Sequence, residues 1–272
     1  LAVLTLLAVL AAACDAAPKS GYILPQASET APTDAATPTP FSNRPVYSPG
    51  TLVDYVAQSG DSLDLLSRRF GCSPQEILWA NPQIPEDVTT LPPGFPMKMP
   101  VYYKPLWGTD FQIIPDAAFV YGPDLLDFDL PGFLETTSGW FKNYRAVIQG
   151  KTRDAAGVIT YYAENYSLNP KLLLALIEFQ TGALSNPTRD PSKEDDFLGF
   201  QNYHRGVHLQ ISYASDLLND GFYRYFNGEM TSIEHKDGTL ENIDPWQNSA
   251  TVALQNYFSV LMDQDAYAQA IG

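Results

Sequence analysis

Residues 54–101 of this chain allow few folds, because four short elements are signalled within fewer than fifty positions. Alternating residues at 55–57 are typical of a short strand, and Gly60 follows in a turn. Apolar residues then recur at helical spacing over 63–70. Gly71 can end that helix in the left-handed conformation. The first half of the segment therefore predicts a strand followed directly by a helix.

The second half of the segment predicts another helix and a returning strand. Ser73 is a good N-cap, and Glu76 three residues later completes a capping box. Asn81 ends the helix because it precedes Pro82, and a residue before proline avoids the α region. Residues 96–100 then return as a strand. The predicted order is strand, helix, helix, strand.

This segment, YVAQSGDSLDLLSRRFGCSPQEILWANPQI with a closing LPPGFPMKMP, resembles a LysM domain in its G-D-S-L, R-F-G and closing proline elements. The resemblance implies a shallow groove between two loops that binds peptidoglycan or a related N-acetylglucosamine glycan. The residues it places in that groove are Gly60, Asp61, Ser62, Leu63, Ile84, Leu91 and Gly94. An alternative interpretation is structural, with Gly60 and Asp61 forming only a turn and a helix cap.

The first residues resemble a bacterial lipobox. An apolar run at 1–13 is too short to span a bilayer comfortably and has the length of a signal-peptide core. Small residues lead into Cys14, so the resemblance implies lipid attachment at Cys14 and an extracytoplasmic, membrane-anchored protein at the cell envelope. A plain secretory signal is the alternative. Cys72, the other cysteine, is interpreted as a packed thiol.

We predict an α+β chain, with a small LysM module of two strands and two helices ahead of a mostly helical, lysozyme-like domain. Its predicted organisation is a signal segment at 1–14, a Pro-, Thr- and Ala-rich disordered tether at 15–53, the LysM domain at 54–101, a connector at 102–139 and the helical domain at 140–272. The formal net charge of −15 argues against nucleic acid and against electrostatic attraction to anionic lipid. A neutral glycan suits such a surface better.

Helix starts in the second half of the chain are signalled by capping residues. Asp154 can cap one helix, Asn169 before Pro170 opens a second, and Asp244 before Pro245 predicts a late one. The stretch opened at Asn169 is apolar nearly all round, which predicts a buried helix.

That stretch, NPKLLLALIEFQTGAL, is similar to the lytic transglycosylase pattern, in which a glutamate near the helix end is the general acid. Gln180 stands at that position here, and an amide cannot donate the proton, although it can hydrogen-bond a sugar. Glu178 is a weak substitute, since it points roughly 200° round the helix from Gln180. Other carboxylates considered are Glu164, Glu229, Glu234, Glu241 and Asp244. The catalytic residue is therefore left unassigned.

No cofactor and no metal site are predicted. His204 and His208 have a helical spacing that could hold zinc, but Gly206 lies between them and no third ligand is evident. The plain interpretation is two polar residues at a helix start. His235 is expected in a polar loop.

Three functional hypotheses remain open. The whole arrangement resembles the N-terminal region of Chloroflexota-type cell-wall lipoproteins, some of which continue into a lysostaphin-type zinc peptidase. An H-x-H element, which such peptidases need, is absent from this sequence. The chain is either a wall-binding lipoprotein with a non-catalytic helical domain, a muralytic glycosidase, or the anchoring region of a larger peptidase. The balance of residues favours binding over catalysis.

Overall fold

The computed structural model describes residues 47–102, 108, 111–122, 125, 127–201 and 203–271. Its first region has the predicted order of elements. They are strand β1 (Thr51–Val56), helices α1 (Leu63–Phe70) and α2 (Pro74–Ala80), and strand β2 (Pro96–Val101). The strands pair antiparallel, with Thr51 opposite Val101 and Val56 opposite Pro96. The strand begins three residues before the predicted module boundary, so residues 51–53 belong to the sheet.

Side chains and glycine at the helix ends explain why two helices fit in so short a segment. The Ser62 hydroxyl accepts the N–H of Leu65 at the start of α1. Gly71 ends α1 with φ +68°, as predicted. Ser73 and Glu76 form the predicted capping box at the start of α2. The predictions for Gly71 and for the Ser73–Glu76 box are confirmed.

The second region is mostly helical and also contains two hairpins. Its elements are α3 (Asp116–Phe119), α4 (Leu130–Thr136), a 3-10 helix (Trp140–Asn143), β3 (Arg145–Ile148), β4 (Lys151–Asp154), α5 (Ala155–Asn165), α6 (Pro170–Thr181), a second 3-10 helix (Pro191–Asp196), α7 (Val207–Phe226), β5 (Ser232–Glu234), β6 (Leu240–Asn242), α8 (Ser249–Leu261) and α9 (Gln264–Ile271). Strands β3 and β4 form one antiparallel hairpin, and β5 and β6 form another. The α+β class is confirmed.

Helix α6 lies in the centre of the second region, as its composition predicts. Its first eight residues are buried except Lys171. The Asn169 side chain caps its start, and Gly182 ends it in the left-handed conformation with φ +63°. Helix α7 passes close to α8 where it carries Gly221, and a methyl group there would lie 3.0 Å from the Cα of Ala253. Glycine thus allows the two long helices to approach each other.

The start of α8 differs from the prediction. The helix begins at Ser249, and Asp244 instead closes a turn by accepting the N–H of Trp246 at 2.9 Å. The first turn of α8 is capped from a distant element, because the Asp116 carboxylate accepts the N–H of Ala250 at 2.8 Å. The prediction of a cap at Asp244 was wrong because the side chain that caps the helix comes from elsewhere in the chain.

The core of the second region extends N-terminal of the predicted boundary at Trp140. Apolar residues within the predicted connector pack into it, namely Ile113, Ile114, Phe119, Leu130 and Leu134. Each of them is at most 6% exposed. The connector is therefore partly built into the helical core.

Cys14 and most of the predicted tether lie outside the described residues. Within the described part of the chain, no helix has the length and apolar character needed to cross a membrane.

Candidate functional site: the LysM groove and the interior of the helical region

The two loops predicted to form the groove are joined directly by backbone hydrogen bonds. The N–H of Leu91 donates to the carbonyl of Asp61 at 2.9 Å, and the N–H of Gly94 donates to the carbonyl of Ala57 at 2.7 Å. A third bond runs from the N–H of Ala57 to the carbonyl of Phe95 at 2.9 Å. The structure therefore brings the residues predicted for the two walls next to each other.

The Asp61 carboxylate lies inside this arrangement and is 1% exposed. One oxygen accepts the hydroxyl of Tyr55 at 2.6 Å and the N–H of Gln58 at 2.7 Å. The other lies 3.2 Å from the guanidinium of Arg69, which is also buried. Burial, together with the neighbouring Asp61 charge, raises the pKa of Tyr55, so its hydroxyl stays protonated and donates. The side chain of Asp61 thus stabilises the loop from within.

The other predicted groove residues divide into buried side chains and exposed backbone. Leu63, Ile84 and Leu91 are at most 7% exposed and belong to the core of the LysM region. Ser62 is half-buried at the helix cap, whereas Gly60 and Gly94 are exposed. At Gly94 an added Cβ would meet no atom within 4 Å, so this part of the wall is open.

The helical region packs against the LysM region beside Gly60. The ring of Phe226 lies so close that a Cβ on Gly60 would be 2.1 Å from it. The Trp246 indole packs edge-on against Phe70 with ring centres 5.1 Å apart. The Arg69 guanidinium lies 4.3 Å from the centre of the Tyr225 ring. Local sequence patterns carry no signal for this contact, because the residues that make it are more than 150 positions apart.

Hydrogen bonds extend the same contact. The Gln58 amide donates to the carbonyl of Trp246 at 2.9 Å, and the Trp246 indole N–H donates to the carbonyl of Asp54 at 3.2 Å. These bonds run in both directions between the two regions, so the LysM region is held in a defined position.

Gln180 is fully engaged within the helical region. Its Nε2 donates to the carbonyl of Leu198 at 2.8 Å, and its Oε1 accepts the hydroxyl of Tyr257. Burial raises the pKa of Tyr257, which keeps that hydroxyl a donor. Gln180 and Leu198 also line a cleft of about 820 Å³. The amide therefore links α6 to α8 and to the loop before α7.

The carboxylates considered as substitutes do not converge on Gln180. Glu178 accepts the N–H groups of Leu184 and Ser185 at 2.8 and 3.2 Å, which fixes the turn after α6. Glu164, Glu229 and Glu234 are exposed, and Asp244 closes the turn described above.

The three histidines contact different partners. His235 lies in the polar loop between β5 and β6, as expected, but its side chain is buried, with 2% exposure. Its Nε2 lies 3.3 Å from the Glu241 carboxylate, and burial raises the pKa of Glu241. His208 pairs through Nδ1 with the Tyr162 hydroxyl at 3.1 Å, and His204 stacks on Tyr213.

Across the described residues, no three His, Cys, Asp or Glu side chains are grouped in a way that could hold a metal ion.

Comparisons with known proteins agree with this division into two regions. The family model described as LysM domain matches residues 55–100, and the one described as LasA, N-terminal domain, matches residues 112–271. Protease LasA of Pseudomonas aeruginosa strain UCBPP-PA14 is 28% identical over 156 residues, which cover 57% of this chain and 32% of the relative. Protease LasA of strain PAO1 is 28% identical over 139 residues, covering 51% of this chain and 29% of the relative.

The chain thus spans about a third of the length of these curated relatives. No solved structure matches it. The LasA family match covers more than half of the chain, from the segment before α3 to α9. On that match the chain belongs to the LasA N-terminal domain family, and a LysM domain precedes the family region.

Proposed function

We propose that this chain binds peptidoglycan through its LysM domain and that its helical region does not cleave glycans. The observation that carries the proposal is the LysM match over residues 55–100, together with the two loops that meet beside an open Gly94. With Asp61 buried and three apolar side chains in the core, the groups left for a glycan are the exposed backbone at Gly60, the carbonyl of Gly94, whose N–H is bonded to Ala57, and the half-buried Ser62 hydroxyl. Backbone N–H and C=O groups pair well with the acetamido groups of N-acetylglucosamine.

The contacts of Gln180 and Glu178 support a non-catalytic helical region. A general acid for glycosidic cleavage must hold a proton within hydrogen-bond reach of the leaving oxygen. Gln180 has no such proton, and Glu178 accepts two backbone N–H groups. Those two bonds engage its carboxylate in the turn after α6.

A pair of glycine variants tests the binding proposal. Gly94 and Gly238 have nearly equal φ values of +84° and +83°, and in both places an added Cβ meets no atom within 4 Å. Asparagine tolerates this backbone conformation. Gly94→Asn adds a side chain at the groove, whereas Gly238→Asn adds the same side chain at the β5–β6 turn.

The measurement is retention of the full chain on purified sacculi. In parallel, cleavage is followed as the release of dye from dye-labelled sacculi. We expect Gly94→Asn to weaken retention at least tenfold, while Gly238→Asn and wild type are retained equally without dye release. Equal retention of both variants would contradict the proposed groove. Dye release by the wild type would contradict the non-catalytic role.

The second candidate is that the chain is the wall-binding region of a cell-wall peptidase. The relatives that favour it are named proteases and are about three times longer than the matched segment. The nucleotide sequence after the codon for Gly272 tests this directly. An open reading frame with an H-x-H element and a separate His/Asp pair supports the peptidase, and a stop codon contradicts it.

Attachment to the cell envelope through a lipid on Cys14 is also a proposal, supported by the small residues that precede this cysteine. Labelling cells with a fatty-acid analogue tests it. Wild type should carry the label and fractionate with membranes, and Cys14→Ser should do neither. A secreted, unlabelled wild type would favour the plain signal peptide.

A further inference from the structure

A groove of about 550 Å³ lies on the helical region, outside the LysM domain and apart from Gln180. It is bounded by the β3–β4 hairpin on one side and by helices α5 and α7 on the other. That volume is within the range of ordinary small-ligand sites. Neither the matches to known proteins nor the capping motifs assign a function to this groove.

The ten described residues that line this groove include no Asp, Glu, Lys or Arg. The lining is thus uncharged, although the chain has a formal net charge of −15. The cleft beside Gln180 offers a direct contrast, since Arg189, Asp190, Lys193, Glu194 and Asp196 all line it. The two cavities therefore suit ligands of different chemistry.

Tyrosines form the inner part of the uncharged groove. Tyr162 is 4% exposed and lies at its base, and the half-buried rings of Tyr161 and Tyr166 lie beside it. Tyr161 and Tyr162 contact edge to face with ring centres 5.2 Å apart. The Arg153 guanidinium lies 4.5 Å from the centre of the Tyr161 ring and holds it in place. Rings fixed in this way offer flat apolar surface with a polar edge.

Neutral hydrogen-bonding groups complete the lining. The His208 Nδ1 pairs with the Tyr162 hydroxyl at 3.1 Å, which orients the imidazole, and the His208 backbone N–H donates to the Tyr144 hydroxyl at 3.2 Å. Burial lowers the pKa of His208, which keeps the ring uncharged at neutral pH. Gln149 and Ser212 add an amide and a hydroxyl.

Two apolar side chains at the groove, Val147 and Leu209, remain 64% and 40% exposed. The groove therefore combines apolar surface, fixed tyrosines and neutral hydrogen-bond donors and acceptors. Such a lining is complementary to a sugar ring, which is apolar on one face and carries hydroxyl or acetamido groups at its edge. A peptide with free carboxylates or amines would find no counter-charge in the lining.

We propose that this groove is a second saccharide-binding site, which takes an uncharged sugar such as N-acetylglucosamine within a glycan chain. The choice of a wall glycan rests on the proposed function, whereas the preference for a neutral sugar rests on the lining itself. Two sites on one chain would hold a polymeric glycan far more tightly than a short oligomer, because the second contact becomes intramolecular.

Calorimetric titration of the full chain with the N-acetylglucosamine tetramer tests the proposal through stoichiometry. We expect two sites for wild type and one site for Gly94→Asn. Leu209→Arg, which places a long charged side chain at the groove, should leave only the LysM site. Leu240→Arg is the matched control, because Leu240 is 56% exposed on β6 and outside the groove. It should keep both sites.

Tyr161→Ala provides a second variant that removes an aromatic wall. It should also lose one site, with at least a tenfold weaker affinity there and an unchanged far-ultraviolet circular dichroism spectrum. The same titration with a free stem peptide in place of the sugar should detect no peptide binding at this groove. Wild type and Leu209→Arg should therefore give the same heat.

The outcomes separate this inference from the proposed function. A single site that Gly94→Asn abolishes and Leu209→Arg leaves intact overturns the second site and retains the LysM function. A single site that responds only to Leu209→Arg supports the groove and overturns the LysM proposal. Stem-peptide binding lost in Leu209→Arg, or no binding at all, overturns the inference.

Discussion

Asp61→Asn tests whether Asp61 stabilises the LysM loop or contacts the glycan. The substitution keeps an oxygen that can accept from Tyr55 and Gln58, but it removes the negative charge beside the Arg69 guanidinium, 3.2 Å away. Arg69 is then left buried without its carboxylate, and its side chain is only 6% exposed. The variant thus isolates the charge from the shape of the side chain.

The expected loss follows from that burial. Breaking a buried ion pair by removing one partner costs about 3–5 kcal/mol. Arg69 keeps its contact with the Tyr225 ring and a long bond to the Tyr225 carbonyl, so the lower end applies. We expect the free energy of unfolding to fall by about 3 kcal/mol, which at a slope of roughly 1–3 kcal/mol per molar urea is a midpoint shift of about 1 M or more.

Urea unfolding followed by tryptophan fluorescence measures this loss, since Trp246 packs on Phe70 and reports on the LysM region. Asp54→Asn is the matched control, because the side chains of the Asp54–Lys98 pair are 88% and 51% exposed. A surface pair of this kind contributes about 0–1 kcal/mol. The folded Asp61→Asn variant should still bind the N-acetylglucosamine tetramer within about threefold of wild type. An unchanged midpoint with a tenfold loss of affinity would refute the structural role.

Other predictions concern single groups in both regions. Gln180→Glu should lower the free energy of unfolding by about 1 kcal/mol, because a half-buried amide donor is replaced by an acceptor facing a carbonyl, and it should release no dye from sacculi; dye release would indicate a recoverable glycosidase. His208 has a lowered pKa in the folded state, so the unfolded chain holds the proton more tightly and stability should fall as the pH drops below about 6.5. His208→Gln should remove that part of the pH dependence, measured as urea midpoints at pH 7.5 and 5; parallel profiles would contradict it. Burial and the nearby Glu76 raise the pKa of Cys72 to about 11, so in a Cys14→Ser background its alkylation at pH 8 should be at least about tenfold slower than that of free cysteine; an equal rate would show a more accessible thiol.

The contact between the two regions gives the LysM domain a fixed neighbour. Phe226 packs against Gly60 at one end of the predicted groove, and Gly228 lies against Leu65 on α1. A wall glycan bound beside Gly60 would therefore lie close to the helical region.

The sequence by itself determined the LysM region in detail. Capping side chains, left-handed glycines and a residue before proline act within a few positions, so Gly71 and the Ser73–Glu76 box could be assigned from local spacing. The same holds for α6, whose Asn169 cap and Gly182 end are local. Such signals depend on backbone geometry that neighbouring residues set.

Only the tertiary structure decided what the polar side chains of the candidate sites do. Asp61 could cap a turn or face a sugar, and the approach of Arg69 and Tyr55 places it in the interior. Gln180 could contact a ligand, but Leu198 and Tyr257 occupy both ends of its amide. The cap of α8 comes from Asp116, more than 130 positions earlier. A polar group takes its role from whichever partner the fold brings within about 3 Å, and local periodicity carries no information about such distant partners.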